Sequence, residues 1–243
     1  MFYSRKDNWA PVDVLFVHGA GGTHRIWGHQ VQSLAGVNTY ALDLPAHGRS
    51  SGEGRDTIAG YSGVILRFLD ALEIERVILV GHSMGGAITQ WTALHAPERL
   101  LGLGLVGTGA RLRVLPTILE GLEAEFEKTV DLIVDHAFAG EVDQSLVDSG
   151  RKEWLANQPA VAVGDFLACD RFDVMDRLGE IELPAAVVVG VRDRLTPVKY
   201  AQLLVGRMHA AELTLVENAG HMVMLEQPVA VTGALQRLIS RCP

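Results

Sequence analysis

Three residues in one chain order could do chemistry together: a serine, Ser83, an aspartate, Asp193, and a histidine, His221. Ser83 is the centre of Gly81-His82-Ser83-Met84-Gly85, and the run Val77-Ile78-Leu79-Val80 leads straight into it. Such a run reads as a buried strand and Ala87 to His95 beyond it as a helix, so Ser83 falls on a sharp strand-to-helix turn. Glycines two before and two after the serine let the chain segments approach closely enough to make that turn. A serine presented there is a candidate nucleophile. The next amide, that of Met84, opens a helix and can donate to a developing oxyanion. Asp193 follows the apolar run Ala185 to Val189, and His221 follows Glu212 to Val216, so both stand at the carboxyl ends of later strands. Serine, then acid, then histidine is the order this kind of elbow requires. In that arrangement Ser83 attacks an acyl carbon and His221 takes its proton. Asp193 holds the imidazole in one tautomer and stabilises the imidazolium.

A second loop belongs with these residues. Val12 to Val17 reads as a buried strand that opens into His18-Gly19-Ala20-Gly21-Gly22. A nucleotide-binding reading fails, because the third glycine would have to stand at position 24, which is His24, and no lysine-serine pair follows. The loop is read instead as the source of a second oxyanion amide, that of Ala20, opposite Met84. In Asp43-Leu-Pro-Ala-His-Gly-Arg-Ser50, the residues Asp43, His47 and Arg49 read as hydrogen-bonding supports of a tight turn. His24, His29, His47, His95, His136 and His209 lack metal-ligand spacing with neighbouring acids and read as surface or packing residues. His82 reads as a support of the elbow.

The elements that must position these groups alternate. Strands at Asn38 to Leu42 and Leu100 to Val106 interleave with helices over Arg25 to Leu34, from an Asp56 cap through Leu72, and after Ser83. That rhythm predicts right-handed crossovers and a parallel sheet covered on both faces, with the site at the carboxyl edge. Between 108 and 182 it breaks. Leu115 to Phe138 reads as one long helical pattern ending at Gly140, followed by shorter pieces at Leu146 to Leu155 and Val161 to Leu167. The expectation is an all-helical lid, with 1–107 and 183–243 forming the core of one globular unit. Phe138, Trp154 and Phe166 are its candidates for lining the substrate pocket. A closing helix over Glu226 to Leu238 is expected to turn Val229, Leu235, Leu238 and Ile239 inward.

Composition narrows the partners. The chain has 243 residues, a formal charge of -8 and 48% hydrophobic residues, which suits one α/β domain and offers no basic face to nucleic acid or anionic lipid. Cys169 and Cys242 are far apart with no Cys-x-x-Cys spacing, the N-terminus has no apolar signal region, and no stretch approaches the ~18 apolar residues of a membrane helix. A cytoplasmic protein is expected. Oligomeric state leaves no mark on the sequence.

With His18-Gly19-Ala20-Gly21, Asp43-Leu-Pro-Ala-His-Gly48-x-Ser50, Gly81-His-Ser-Met-Gly-Gly86, Gly190-x-x-Asp193 and Gly220-His221 in place, the chain resembles the α/β-hydrolase superfamily along almost its whole length. Within it the likeness is to the lid-bearing esterase, lactonase and carbon-carbon hydrolase branch. The resemblance implies no metal, no organic cofactor, a small-molecule ester or lactone as substrate and water as the second substrate. Members usually begin with two further antiparallel strands, but only 11 residues precede Val12, so one of the two should be missing or vestigial and the mostly parallel sheet should have about seven. A serine nucleophile in place of aspartate separates the chain from epoxide hydrolases and haloalkane dehalogenases. The expected function is cleavage of small carboxylic esters through an acyl-enzyme. The alternative is a lactonase or a hydrolase of vinylogous diketones, which predicts an arginine facing the pocket, with Arg111, Arg113 and Arg171 as candidates. A more distant alternative is a ligand receptor that keeps the triad and signals through its lid.

Overall fold

The computed structural model describes residues 1–140 and 142–242. Its strands are β1 (Tyr3–Lys6), β2 (Asp13–Val17), β3 (Asn38–Leu42), β4 (Val77–His82), β5 (Leu100–Val106), β6 (Ala185–Gly190) and β7 (Ala211–Val216). They form one 7-stranded sheet in the order β1-β3-β2-β4-β5-β6-β7. Only β1 is antiparallel, paired with β3 at the edge, so the trimmed N-terminal strand set expected from the sequence is what the sheet contains.

The central strands are buried on both faces, which is why they read as unbroken apolar runs. Successive side chains serve opposite layers. Leu15, Val17 and Leu79 pack with Phe68 of α2 (Ile58–Ala71) and Ile88 of α3 (Met84–His95). Phe16, Ile78 and Val80 pack with Val31 of α1 (Gly28–Ser33) and with Leu235 and Leu238 of α10 (Pro228–Ile239). The register levels the carboxyl ends: Val17 lies beside Gly81, His82 beside Val106, Val106 beside Val188, and Gly190 beside Val216. The loops carrying Ala20, Ser83, Asp193 and His221 therefore leave the sheet along one edge.

Between β5 and β6 lie α4 (Pro116–Ala124), α5 (Phe126–Ala137), α6 (Gln144–Leu155) and α7 (Pro159–Asp170), which pack on one another, with α7 also meeting α3. Several local expectations shift. The pattern over Leu115 to Phe138 is two helices, because Glu125 (φ -138, ψ 56) leaves the helical region and lets α5 fold back on α4. The first helix is a 3-10 turn over His24–Trp27 followed by the short α1. The cap of α2 is Thr57, whose side chain accepts from the Gly60 amide at 3.2 Å, and not Asp56. The last helix starts at Pro228, after the separate turn α9 (Val223–Glu226), and this turns Val229 outward, 74% exposed, where an inward residue was expected. Among the described residues no helix is long and apolar enough to cross a membrane.

Candidate active site

Ser83 is the last residue before α3 and has φ 52 and ψ -115, a region that costs a non-glycine residue of order 1–3 kcal/mol. Its surroundings impose that conformation. The Ser83 amide donates to Val106 O at 3.0 Å, and Ser83 O accepts from the Gly86 amide at 2.9 Å and the Thr108 hydroxyl at 2.8 Å. The two motif glycines are needed for space: a β-carbon on Gly81 would collide with the Gly85 carbonyl, and one on Gly85 with the carbonyls of Val17 and His18. The elbow is thus wedged between β2 and its own helix.

His221 and Asp193 meet at 2.9 Å through Nδ1 and Oδ2, and both are buried. Thr196, to which the sequence drew no attention, donates its hydroxyl to Asp193 Oδ2 at 2.8 Å and lies 3.2 Å from His221 Nδ1. Asp193 Oδ1 accepts the amides of Leu195 and Thr196 at 2.9 and 2.8 Å. Burial pushes the Asp193 carboxyl up, but the charge and hydrogen bond of His221 and the Thr196 donors outweigh it, and the carboxyl is held below its ordinary value. No hydrogen bond among the described residues engages His221 Nε2. His82 packs its ring on His221 with centroids 4.5 Å apart and donates Nε2–H to His221 O at 3.1 Å. Burial and the neighbouring His221 push His82 well down, so it is a neutral support of the His221 loop.

Ser83, His221, Gly19 and Ala20 line one cavity of about 370 Å³. Its wall is apolar: Ile26, Leu112, Ile118, Ile133, Trp154 and Phe166 all contribute. At its rim Leu115, Leu132 and Leu195 are exposed large apolar side chains. Trp154 and Phe166, two of the three candidates named from the sequence, are on this wall. Phe138 does not line this cavity. It is buried among Val130, Val134 and Val147, because the backbone of 137–139 is pressed against Gly220, and its side chain faces the interior of the helical layer. All three arginines singled out have carboxylate partners, Arg111 with Asp173, Arg171 with Asp56 and Arg113 with Asp170 at 3.9 Å, but of the three Arg113 is the one that lines the cavity. Arg194, not singled out, also lines it.

The loop His18–Gly22 is closed by Gly22 N–H to Gly19 O at 3.1 Å, and the Ala20 amide has no protein acceptor among the described residues. Met84 N–H, at the first position of α3, lies outside that helix's own ladder. His18 is locked as a neutral ring, with Nδ1–H donating to Gly19 O at 2.7 Å and Nε2 accepting Leu44 N–H at 3.0 Å. Burial, with the nearby His47, pushes it down to about 4. Asp43 supports its turn as expected, accepting the amides of His24 and Arg49 at 2.7 and 2.9 Å. His47 does more than support a turn. It is fully buried and donates Nδ1–H to Pro45 O at 3.0 Å and Nε2–H to Asp165 of α7 at 2.8 Å. Burial opposes its charge, but Asp165 outweighs burial and the imidazole is held above its ordinary value.

This architecture has known counterparts. The sequence model of the Alpha/beta hydrolase family matches residues 14–234, and the chain belongs to that family. It is 32% identical, over 93% of its length, to the dihydrolipoyllysine-residue acetyltransferase component of the acetoin cleaving system of Cupriavidus necator, and spans 62% of that protein. It is 28% identical to the 2-hydroxy-6-oxo-6-phenylhexa-2,4-dienoate hydrolase of Burkholderia cepacia, over 88% of this chain and 82% of that one. The solved structure of a thermophilic esterase is 34% identical, with a TM-score of 0.86 over 99% of this chain and 98% of that one.

Proposed function

We propose that the chain is a serine hydrolase of small carboxylic esters with an apolar acyl or alcohol part, using Ser83, His221 and Asp193 as its triad. The observation that carries this is His221, held by Asp193 through Nδ1 and with Nε2 free, lining the same cavity as a serine forced into a strained backbone turn. Ser83 Oγ adds to the ester carbonyl carbon while His221 Nε2 accepts its proton. The carbonyl oxygen becomes an oxyanion facing the amides of Ala20 and Met84, each worth about 3 kcal/mol in the transition state. Collapse expels the alcohol, which takes the proton from His221, and leaves an acyl-enzyme. Water, deprotonated by His221, then adds to the acyl carbon and releases the acid and Ser83. The helices between β5 and β6 act as a lid whose apolar rim admits a water-poor substrate. The 34% identity to an esterase supports the ester reading.

The test is p-nitrophenyl ester hydrolysis by Ser83→Ala beside the wild type. A fall of about five to six orders of magnitude is expected, and undiminished turnover rejects the assignment. A second reading, cleavage of lactones or of diketones bearing a carboxylate, draws on Arg113 at the cavity and on the Burkholderia cepacia relative. In that case Arg113→Gln raises KM about ten-fold for carboxylate-bearing substrates and leaves neutral esters unchanged; equal effects on both exclude it.

A further inference from the structure

Asp165 is a carboxylate with no exposed surface on α7, in a segment whose neighbours Val161, Ala162, Phe166 and Ala168 are apolar. Such a group is retained against a desolvation cost of several kcal/mol, and an apolar residue in its place is often neutral or stabilising. Its hydrogen bonds show where it is directed. Oδ2 accepts the Gly21 amide at 2.9 Å and His47 Nε2–H at 2.8 Å, and Oδ1 accepts the Tyr61 hydroxyl. Tyr61 O in turn accepts the Arg55 amide at 3.1 Å, so the carboxylate has no rotational freedom left.

On the other side of the same residue, Gly21 O accepts Asn157 Nδ2–H at 2.8 Å, and Asn157, between α6 and α7, is itself buried. Both peptide planes flanking the Gly21 α-carbon are therefore gripped by the inserted helices. Gly21 has φ +63, as the third position of a type II turn demands, and a β-carbon there would come within 2.7 Å of the Trp154 ring. Gly22 N–H and His18 Nδ1–H both meet Gly19 O, so the peptide that carries the Ala20 amide is held within the loop, and the two peptides that follow it are held from the inserted helices.

We propose that Asp165 and Asn157 are positioning residues for the oxyanion hole: by clamping the two peptides of Gly21 they aim the Ala20 amide, so the hole is assembled only when the inserted helices are seated on the core. The inference rests on the serine-hydrolase reading above. It makes the insertion part of the transition-state machinery as well as a wall for the substrate, and it gives the buried His47 a purpose, which is to hold the carboxylate that holds the loop.

The experiment compares wild type, Ser83→Ala, Asp165→Ala, Asp165→Asn and Asn157→Ala on one p-nitrophenyl ester, with an alkyl trifluoromethyl ketone as reversible oxyanion mimic. Asp165→Ala and Asn157→Ala are expected to lower kcat ten- to a hundred-fold with KM within about three-fold, and to weaken the ketone by the same factor as kcat/KM. Asp165→Asn, which keeps an oxygen for the Gly21 amide, should recover most of both. The pH profile of kcat/KM set by His221 should not move. Should Asp165→Ala fail to fold, Asn157→Ala carries the same comparison. Folded variants whose ketone affinity is unchanged, or whose loss lies in KM alone, overturn the clamp while leaving the Ser83 assignment standing. Full activity in Ser83→Ala overturns both.

Discussion

Among the described residues two histidine–carboxylate pairs are buried on both sides, His221 with Asp193 at 2.9 Å and His47 with Asp165 at 2.8 Å. Distance and burial do not tell them apart; the remaining ring nitrogen does. His47 spends Nδ1 on Pro45 O and Nε2 on Asp165, so neither ring nitrogen is left for a substrate. His221 spends Nδ1 on Asp193 and keeps Nε2 for whatever enters the cavity it lines. A pair with every valence satisfied holds structure, and a pair with one to spare can move a proton.

The strongest way to break that contrast is to exchange the roles by mutation. His221→Gln is expected to lower kcat/KM by at least about four orders of magnitude, while His47→Gln should cost about ten- to a hundred-fold, measured with the same ester. Equal losses would erase the distinction. Asp193→Asn should cost about 10⁴-fold through the wrong imidazole tautomer, and Asp165→Asn far less.

A smaller effect separates His47, held above its ordinary value by Asp165, from the neutral ring of His18, whose centroid is 4.9 Å away. His18 is pushed from 6.5 down to about 4 in the folded chain. Below pH 6.5 the unfolded chain therefore takes up a proton that the folded chain refuses. Stability should fall as pH drops from 6.5 to about 4, by about 3 kcal/mol for this residue, with His82 adding to the same trend. Urea unfolding across that window measures it, and a flat profile in the wild type contradicts the neutral assignment. The smallest effect concerns the aromatic residues of the insertion. Phe166→Ala should change selectivity among acyl chains by about 1–2 kcal/mol, whereas Phe138→Ala should lower stability by about 3 kcal/mol and leave selectivity alone, read by ester panels and thermal melts.

Much of this architecture is legible in the sequence. The sheet and the placement of Ser83, Asp193 and His221 at strand ends follow from apolar runs and glycine spacing, which are local signals, whereas the trimmed edge follows from the family resemblance. The companion pair escaped because its partners are 118 residues apart, and His47 in a Pro-Gly turn looks like a turn residue. A trace existed nonetheless, since Asp165 is the lone charge between Pro159 and Cys169 in an otherwise apolar helix. Phe138 was misplaced because helical periodicity places a residue on a face but does not say what that face meets. Val229 turned outward for a related reason: the start of the last helix moved by two residues, which is about 200° around the helix axis, slightly more than half a turn.

The seams between insertion and core bear on how such chains can be recombined. Besides the Gly21 contacts, Ala137 O accepts the Met222 amide at 3.1 Å, and Glu226 accepts the amides of both Gly220 and Ala139 at 3.0 and 2.9 Å. Segment 108–182 is thus tied to the loops on either side of Ser83 in the sequence, one before it and one after. On the clamp proposed above, a chimera that imports this segment from a relative keeps the oxyanion loop aimed when it also imports an acceptor at position 165, an amide donor at 157 and a backbone matching Gly220. Sequence interchange in this fold has to be made in sets of contacts, and helix boundaries are the wrong places to cut.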